Sequence, residues 1–82
     1  MTVNTLNNKL EKLGITSSVF DYNGYNKAII FSINNLEIQA KFSDGKENIE
    51  SFFIVTGYNN LNQERERRFF YSFNKVLSYA KR

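Results

Sequence analysis

An α+β domain is predicted by three features of this chain: an apolar stripe at helical spacing near its start, two tight-turn dipeptides separating β-rich runs in its middle, and a long helical stripe at its end. The expected order is an N-terminal helix, a three-stranded antiparallel meander, then two C-terminal helices packed on one sheet face. With 82 residues, 41% of them hydrophobic, there is room for one core, so residues 1–82 are read as a single domain.

Val3, Leu6, Leu10 and Leu13 recur at three- and four-residue spacing, Thr2 can cap the front, and Gly14 stands where a helix ends in a left-handed residue. These predict a helix over residues 3–13. Asn23-Gly24, between Ser17–Tyr22 and Tyr25–Ile33, is a strong hairpin signal because both residues accept positive φ. A two-residue loop there pairs Tyr22 with Tyr25 and Phe20 with Lys27. Asn34-Asn35 predicts a second tight turn, which pairs Ile33 with Leu36, Phe31 with Ile38 and Ile29 with Ala40. One apolar face then runs across three strands. The opposite face carries Asp21, Asn26, Ser32, Glu37, Gln39 and Lys41, with Val19, Ala28 and Ile30 among them.

Residues 45–56 carry two signals. Asp44 and Glu47 at capping-box spacing, Ile49, Phe52 and Phe53 on one helical stripe, and Gly57 as a stop favour a helix. Ile54, Val55 and Thr56 favour the alternative, a fourth strand at 46–56 joined to the third through Asp44-Gly45. The helix is the expectation adopted. A final helix is expected from Asn60 to Ala80, with Asn60 and Gln63 as a cap pair. At 100° per residue Val76, Phe69, Ala80, Phe73, Leu77 and Phe70 fall within an arc of roughly 120°, the width of a core-facing stripe. Phe69, Phe73 and Leu77 are therefore expected to be buried against Phe31, Ile38 and Ile29.

Charge is unevenly distributed. Residues 1–60 carry five Lys against six Asp or Glu, whereas residues 61–82 carry six Lys or Arg against two Glu. On the expected final helix, Arg65, Arg68, Tyr71, Lys75, Tyr79 and Arg82 lie opposite the apolar arc, so cations alternate with phenol rings along about 25 Å. Such a stripe suits nucleic acid or an acidic protein surface, because cations neutralise phosphates or carboxylates while Tyr stacks or makes amphipathic contacts. A solvated outer face of an ordinary surface helix has the same look, and Glu64 can pair with Arg68 at four-residue spacing and absorb part of the charge.

The chain has no His and no Cys, which removes imidazole bases, thiolate nucleophiles, disulfides and the usual zinc ligands. The glycines stand singly at expected turns and helix ends, so no phosphate-cradling loop is readable. The expectation is a protein that is not an enzyme and uses neither cofactor nor metal. Met1–Leu10 has no uninterrupted apolar segment, which predicts neither a signal peptide nor a membrane span and a cytoplasmic location.

The short chain, its twelve Asn residues, the layout through Asn23-Gly24 and Asn34-Asn35 and the lack of catalytic groups together give a format that resembles small phage- and mobile-element-encoded inhibitors of the anti-CRISPR type. The resemblance implies a binding protein that occupies the surface of a larger protein or ribonucleoprotein complex and so inhibits or regulates it. It assigns no residue a role. Two other readings stand beside it: an accessory nucleic-acid-binding protein that uses the C-terminal stripe, and a structural protein that self-associates as a homodimer or higher assembly because so short a chain has a limited core.

Overall fold

A computed structural model describes residues 1–43, 45, 48–55 and 67–81. Their order is α1 (Val3–Lys12), β1 (Ser17–Asp21), β2 (Asn26–Ile33), β3 (Leu36–Ser43), β4 (Ser51–Val55), β5 (Arg67–Phe70) and α2 (Phe73–Ala80). The strands form one antiparallel sheet in the order β1-β2-β3-β4-β5. The α+β class and the opening helix stand as expected. The sheet has two more strands than the three expected.

The boundaries of α1 follow from local chemistry. The Thr2 side chain accepts a hydrogen bond from the Thr5 amide at 3.0 Å, capping the first turn. At the other end Gly14 takes φ +71°, its N–H reaches the Glu11 carbonyl at 3.0 Å, and the Ile15 N–H reaches the Leu10 carbonyl at 2.9 Å. This paired closure turns the chain out of the helix and brings Ile15 back onto the core that Leu10 enters.

The β2–β3 hairpin has the expected register throughout, with Ile33 opposite Leu36, Phe31 opposite Ile38 and Ile29 opposite Ala40. Asn34 and Asn35 both take positive φ, 50° and 68°, the backbone a two-residue hairpin loop needs. The β1–β2 register differs by one residue from the expected one. Phe20 stands opposite Ala28 and Asp21 opposite Lys27, where Phe20 with Lys27 was expected. The cause lies in side chains that capture loop amides: the Asp21 carboxylate accepts from the Asn23 and Gly24 N–H groups, and Asn23 Oδ1 accepts from those of Tyr25 and Asn26. These nested Asx turns lengthen the loop by one residue. A one-residue slip exchanges the faces of a strand, so Val19 and Asp21 fall on the same face as Ile29 while Phe20 and Tyr22 fall on the other.

Residues 51–55 are a strand, which corrects the helix expected over 45–56 and matches the fourth-strand alternative. Alternation was hard to read because both faces of β4 take apolar residues: Phe52 and Ile54 enter one side, and Phe53 is buried on the other. The Asp44–Glu47 cap pair, Thr56 and Gly57 lie outside the described residues.

The helix expected from Asn60 to Ala80 is also corrected. Residues 67–70 form β5 on β4, Ser72 is the N-cap of α2 with extended backbone, and the helix begins at Phe73. Residues 60–66, with the Asn60–Gln63 cap pair, lie outside the described residues. Within the expected arc, Phe73, Val76, Leu77 and Ala80 are truly on one helical stripe. Phe69 and Phe70 matched it only because two adjacent aromatics fit a helical face as well as the two faces of a strand.

Both helices lie on the same face of the sheet. Leu6 and Leu10 of α1 and Phe73 and Val76 of α2 form one cluster with Ile29, Phe31, Ile38, Ala40, Phe52 and Ile54. Phe73 is the aromatic centre, its ring 6.3 Å from that of Phe31 and 6.0 Å from that of Phe52. Leu77 packs half-buried at the margin. Phe69 does not join this core. Two ties fix the helices over the sheet: the Ile49 amide donates to the Met1 carbonyl at 2.9 Å, and Asn34 Nδ2 donates to the Ala80 carbonyl at 2.7 Å. No helix among the described residues is long and apolar enough to cross a membrane.

Candidate binding surface

The sheet face away from α1 and α2 is built by the alternate residues of each strand. The register lines up Ser18, Ile30, Gln39, Phe53 and Phe69 in one row across all five strands, and Phe20, Ala28, Lys41 and Ser51 in the next. Neither row contacts the helix-side core, yet both are rich in apolar groups. Ala28 is fully buried between its cross-strand neighbours Phe20 and Lys41, and Phe53 is 4% exposed beside Phe69, whose ring lies 5.9 Å away.

Three aromatic side chains remain largely open to solvent here, Phe20, Tyr22 and Phe69, whereas Tyr71, 81% exposed just after β5, lines a separate hollow with Met1, Lys9 and Phe73. Phe20 and Tyr22 meet edge to face with centroids 4.8 Å apart, a favourable arrangement for two rings. The Tyr22 hydroxyl donates to Gln39 Oε1, and Gln39 Nε2 donates to Glu37 Oε2 at 3.2 Å, so a polar chain crosses the face from β1 to β3. Beside it lies a shallow groove of about 370 Å³, lined by Tyr22, Asn26, Gln39, Lys41, Glu50 and Phe53. Ser43, itself buried, donates to Glu50 Oε1 at 2.7 Å and the Glu50 amide donates to the Lys41 carbonyl at 2.8 Å, which hold one wall in place. The groove joins aromatic floor, amide donors and acceptors, one cation and one carboxylate. This suits recognition of a mixed polar and apolar surface.

The C-terminal stripe is rearranged. Arg65 and Arg82 lie outside the described residues. Arg68 belongs to β5, Tyr71 to the break after it, and Lys75 and Tyr79 to α2. Arg68, Lys75 and Tyr79 still gather, although not as one helix face: the Arg68 guanidinium lies 5.5 Å from the Tyr79 ring centroid, and Lys75 is one helical turn before Tyr79. Phe70 meets the same Tyr79 ring at a tilt of 47°, with centroids 5.5 Å apart. The cluster thus ties α2 to β5 while keeping its charge at the surface. Tyr71 parts from it.

The residues that make the open face were missed at Phe20, Tyr22 and Phe69, which hydrophobic pattern alone assigned to the core. A signal for the first two exists in the sequence. Asp21-Tyr22-Asn23-Gly24 holds two Asx residues two apart before a Gly, the pattern of nested side-chain-closed turns, and it selects the longer loop. No protein-family model matches the chain, and no curated protein or solved structure matches it.

Proposed function

We propose that this chain is a small non-catalytic binding domain that inhibits or regulates a larger protein or ribonucleoprotein complex by occupying its surface, as anti-CRISPR-type inhibitors do, and that it does so with the face of its sheet turned away from α1 and α2. The observation that carries this reading is the exposure of Phe20, Tyr22 and Phe69 on that face, between 45% and 54%, in a chain that buries Phe31, Phe52, Phe53 and Phe73. Large rings left in water gain most when a partner covers them, and aromatic side chains are the commonest energetic anchors of interfaces. The Tyr22 hydroxyl and the Gln39 and Lys41 groups supply the directional contacts at the rim.

The test is retention of a host component by the immobilised chain, compared with a Phe20→Ser/Phe69→Ser variant. The parent is expected to retain a defined partner and the variant to lose it while keeping its circular dichroism spectrum. Equal retention by the two removes the sheet face as the contact surface. Failure of the folded parent to retain anything above background removes the reading.

The gathering of Arg68, Lys75 and Tyr79 supports a second reading, an accessory protein for single-stranded nucleic acid, in which bases stack on the open rings and cations meet phosphates. Anisotropy titrations of a labelled oligonucleotide at several salt concentrations separate the two. Nucleic-acid binding weakens steeply with salt, and an Arg68→Ala/Lys75→Ala variant flattens that slope by up to about two units.

A further inference from the structure

The two sides of the sheet end differently. β5 carries the exposed cation Arg68, and charges of this kind are a usual guard against edge-to-edge pairing. β1, Ser-Ser-Val-Phe-Asp, has no Lys, Arg or Pro, all five residues are exposed, and its apolar pair Val19 and Phe20 is 63% and 49% open. Among the described residues β1 pairs with β2 alone.

The register states which backbone groups point outward. The Tyr22 amide donates to the Asn26 carbonyl, so residues 18, 20 and 22 aim their amides and carbonyls at β2 and residues 17, 19 and 21 aim theirs away from it. We infer that β1 is a self-complementary edge through which two copies of this chain pair antiparallel about a two-fold axis at Val19, joining their two sheets into one continuous sheet.

This pairing follows from the chemistry of the strand. With the axis at Val19, each outward-facing residue meets an outward-facing one: Val19 meets Val19, and Ser17 meets Asp21 of the second copy. Each such pair exchanges two backbone hydrogen bonds, about six in all. The carboxylate of Asp21 stands opposite a serine and never opposite its own copy, so no like charges face each other. On the open face Phe20 stands opposite Ser18 and diagonal to the other Phe20, within reach for two aromatic rings. A two-fold axis perpendicular to the sheet keeps both helix layers on one side, so the open aromatic faces of the two copies become one continuous surface. The inference rests on the β1 edge and stands whether or not the open face binds a partner.

Sedimentation equilibrium of the full chain, up to about 0.5 mM, is expected to show a monomer–dimer equilibrium in a low-affinity range typical of small interfaces. Val19→Lys places like charges face to face and is expected to raise the dissociation constant at least about tenfold, as is Val19→Glu. Mixing the two variants is expected to restore the dimer as a heterodimer. Because the chain contains no other thiol, Val19→Cys gives an independent reading. Facing Cα atoms in such a pair lie about 5.5 Å apart, within disulfide range, so this variant is expected to cross-link under mild oxidation while Lys75→Cys does not. A parent that stays monomeric throughout, a Val19→Lys variant that dimerises unchanged, or equal cross-linking at positions 19 and 75 would each overturn the inference.

Discussion

Replacing Phe73 and, separately, Phe69 with alanine distinguishes the observed arrangement from one continuous C-terminal helix. On a single helix the two residues, four apart, share a face and both belong to the core. In the structure Phe73 is 5% exposed between Phe31 and Phe52, whereas Phe69 is 54% exposed on the other side of the sheet, its ring 5.9 Å from that of Phe53. A buried phenylalanine removes about 150–250 Å² from water, and at ~25 cal/mol per Å² its loss, less what alanine retains, comes to about 3–5 kcal/mol. A domain of this length has a total stability of about 4–12 kcal/mol, so Phe73→Ala removes a large share of it. With about 4–8 °C of melting temperature per kcal/mol, the midpoint is expected to fall by at least about 12 °C. Phe69→Ala loses one exposed ring contact and is expected to cost about 0.5–1.5 kcal/mol. Urea unfolding followed by far-ultraviolet circular dichroism measures both. Equal losses would refute the assignment of Phe69 and Phe73 to opposite faces, and a Phe73→Ala variant as stable as the parent would refute the core.

Three further outcomes follow from local geometry. Gly14→Ala is expected to cost about 1–2 kcal/mol although nothing lies within 4 Å of the added Cβ, because φ +71° strains any other residue; thermal melts measure this. Asn34→Gly keeps the turn but removes the bond to the Ala80 carbonyl, so it is expected to destabilise by about 0.5–1.5 kcal/mol and to raise hydrogen exchange at the end of α2, while Asn35→Gly is expected to be neutral or slightly stabilising. Asp21→Ala removes the acceptor for two loop amides and is expected to cost about 1–2 kcal/mol and to weaken the β1–β2 cross-peaks in a nuclear Overhauser spectrum.

The central hairpin was legible in the sequence because its register is dictated twice over, by a turn that two Asn residues close and by apolar partners that agree across it. Helix α1 was legible for the same reason: stripe, cap and left-handed glycine point to one answer. Alternation failed as a guide at β4, where Phe52 and Phe53 are buried on opposite faces, and at β5, where Phe69 and Phe70 are divided in the same way. Two adjacent phenylalanines satisfy a helical arc locally, and only pairing with a distant strand decides between the two forms. The candidate site was displaced by the same errors. One residue in the first hairpin loop moved Phe20 and Tyr22 from the expected core to the open face, and the break at Tyr71-Ser72 took apart the expected helical stripe of Arg65, Arg68, Tyr71, Lys75, Tyr79 and Arg82. The open face around Ile30, Glu37, Gln39 and Lys41 was visible in the pattern as the wetter side of the sheet. Its aromatic content was not.

Hydroxyl-radical footprinting of the chain, free and with any component captured on the immobilised chain, reads the proposed surface directly because aromatic side chains are oxidised in proportion to their exposure. Phe20, Tyr22 and Phe69 are expected to be the most protected positions in the complex, while residues on the outer sides of α1 and α2 stay as reactive as in the free chain. Unchanged oxidation of those three rings, with protection confined to the helices, would contradict the account.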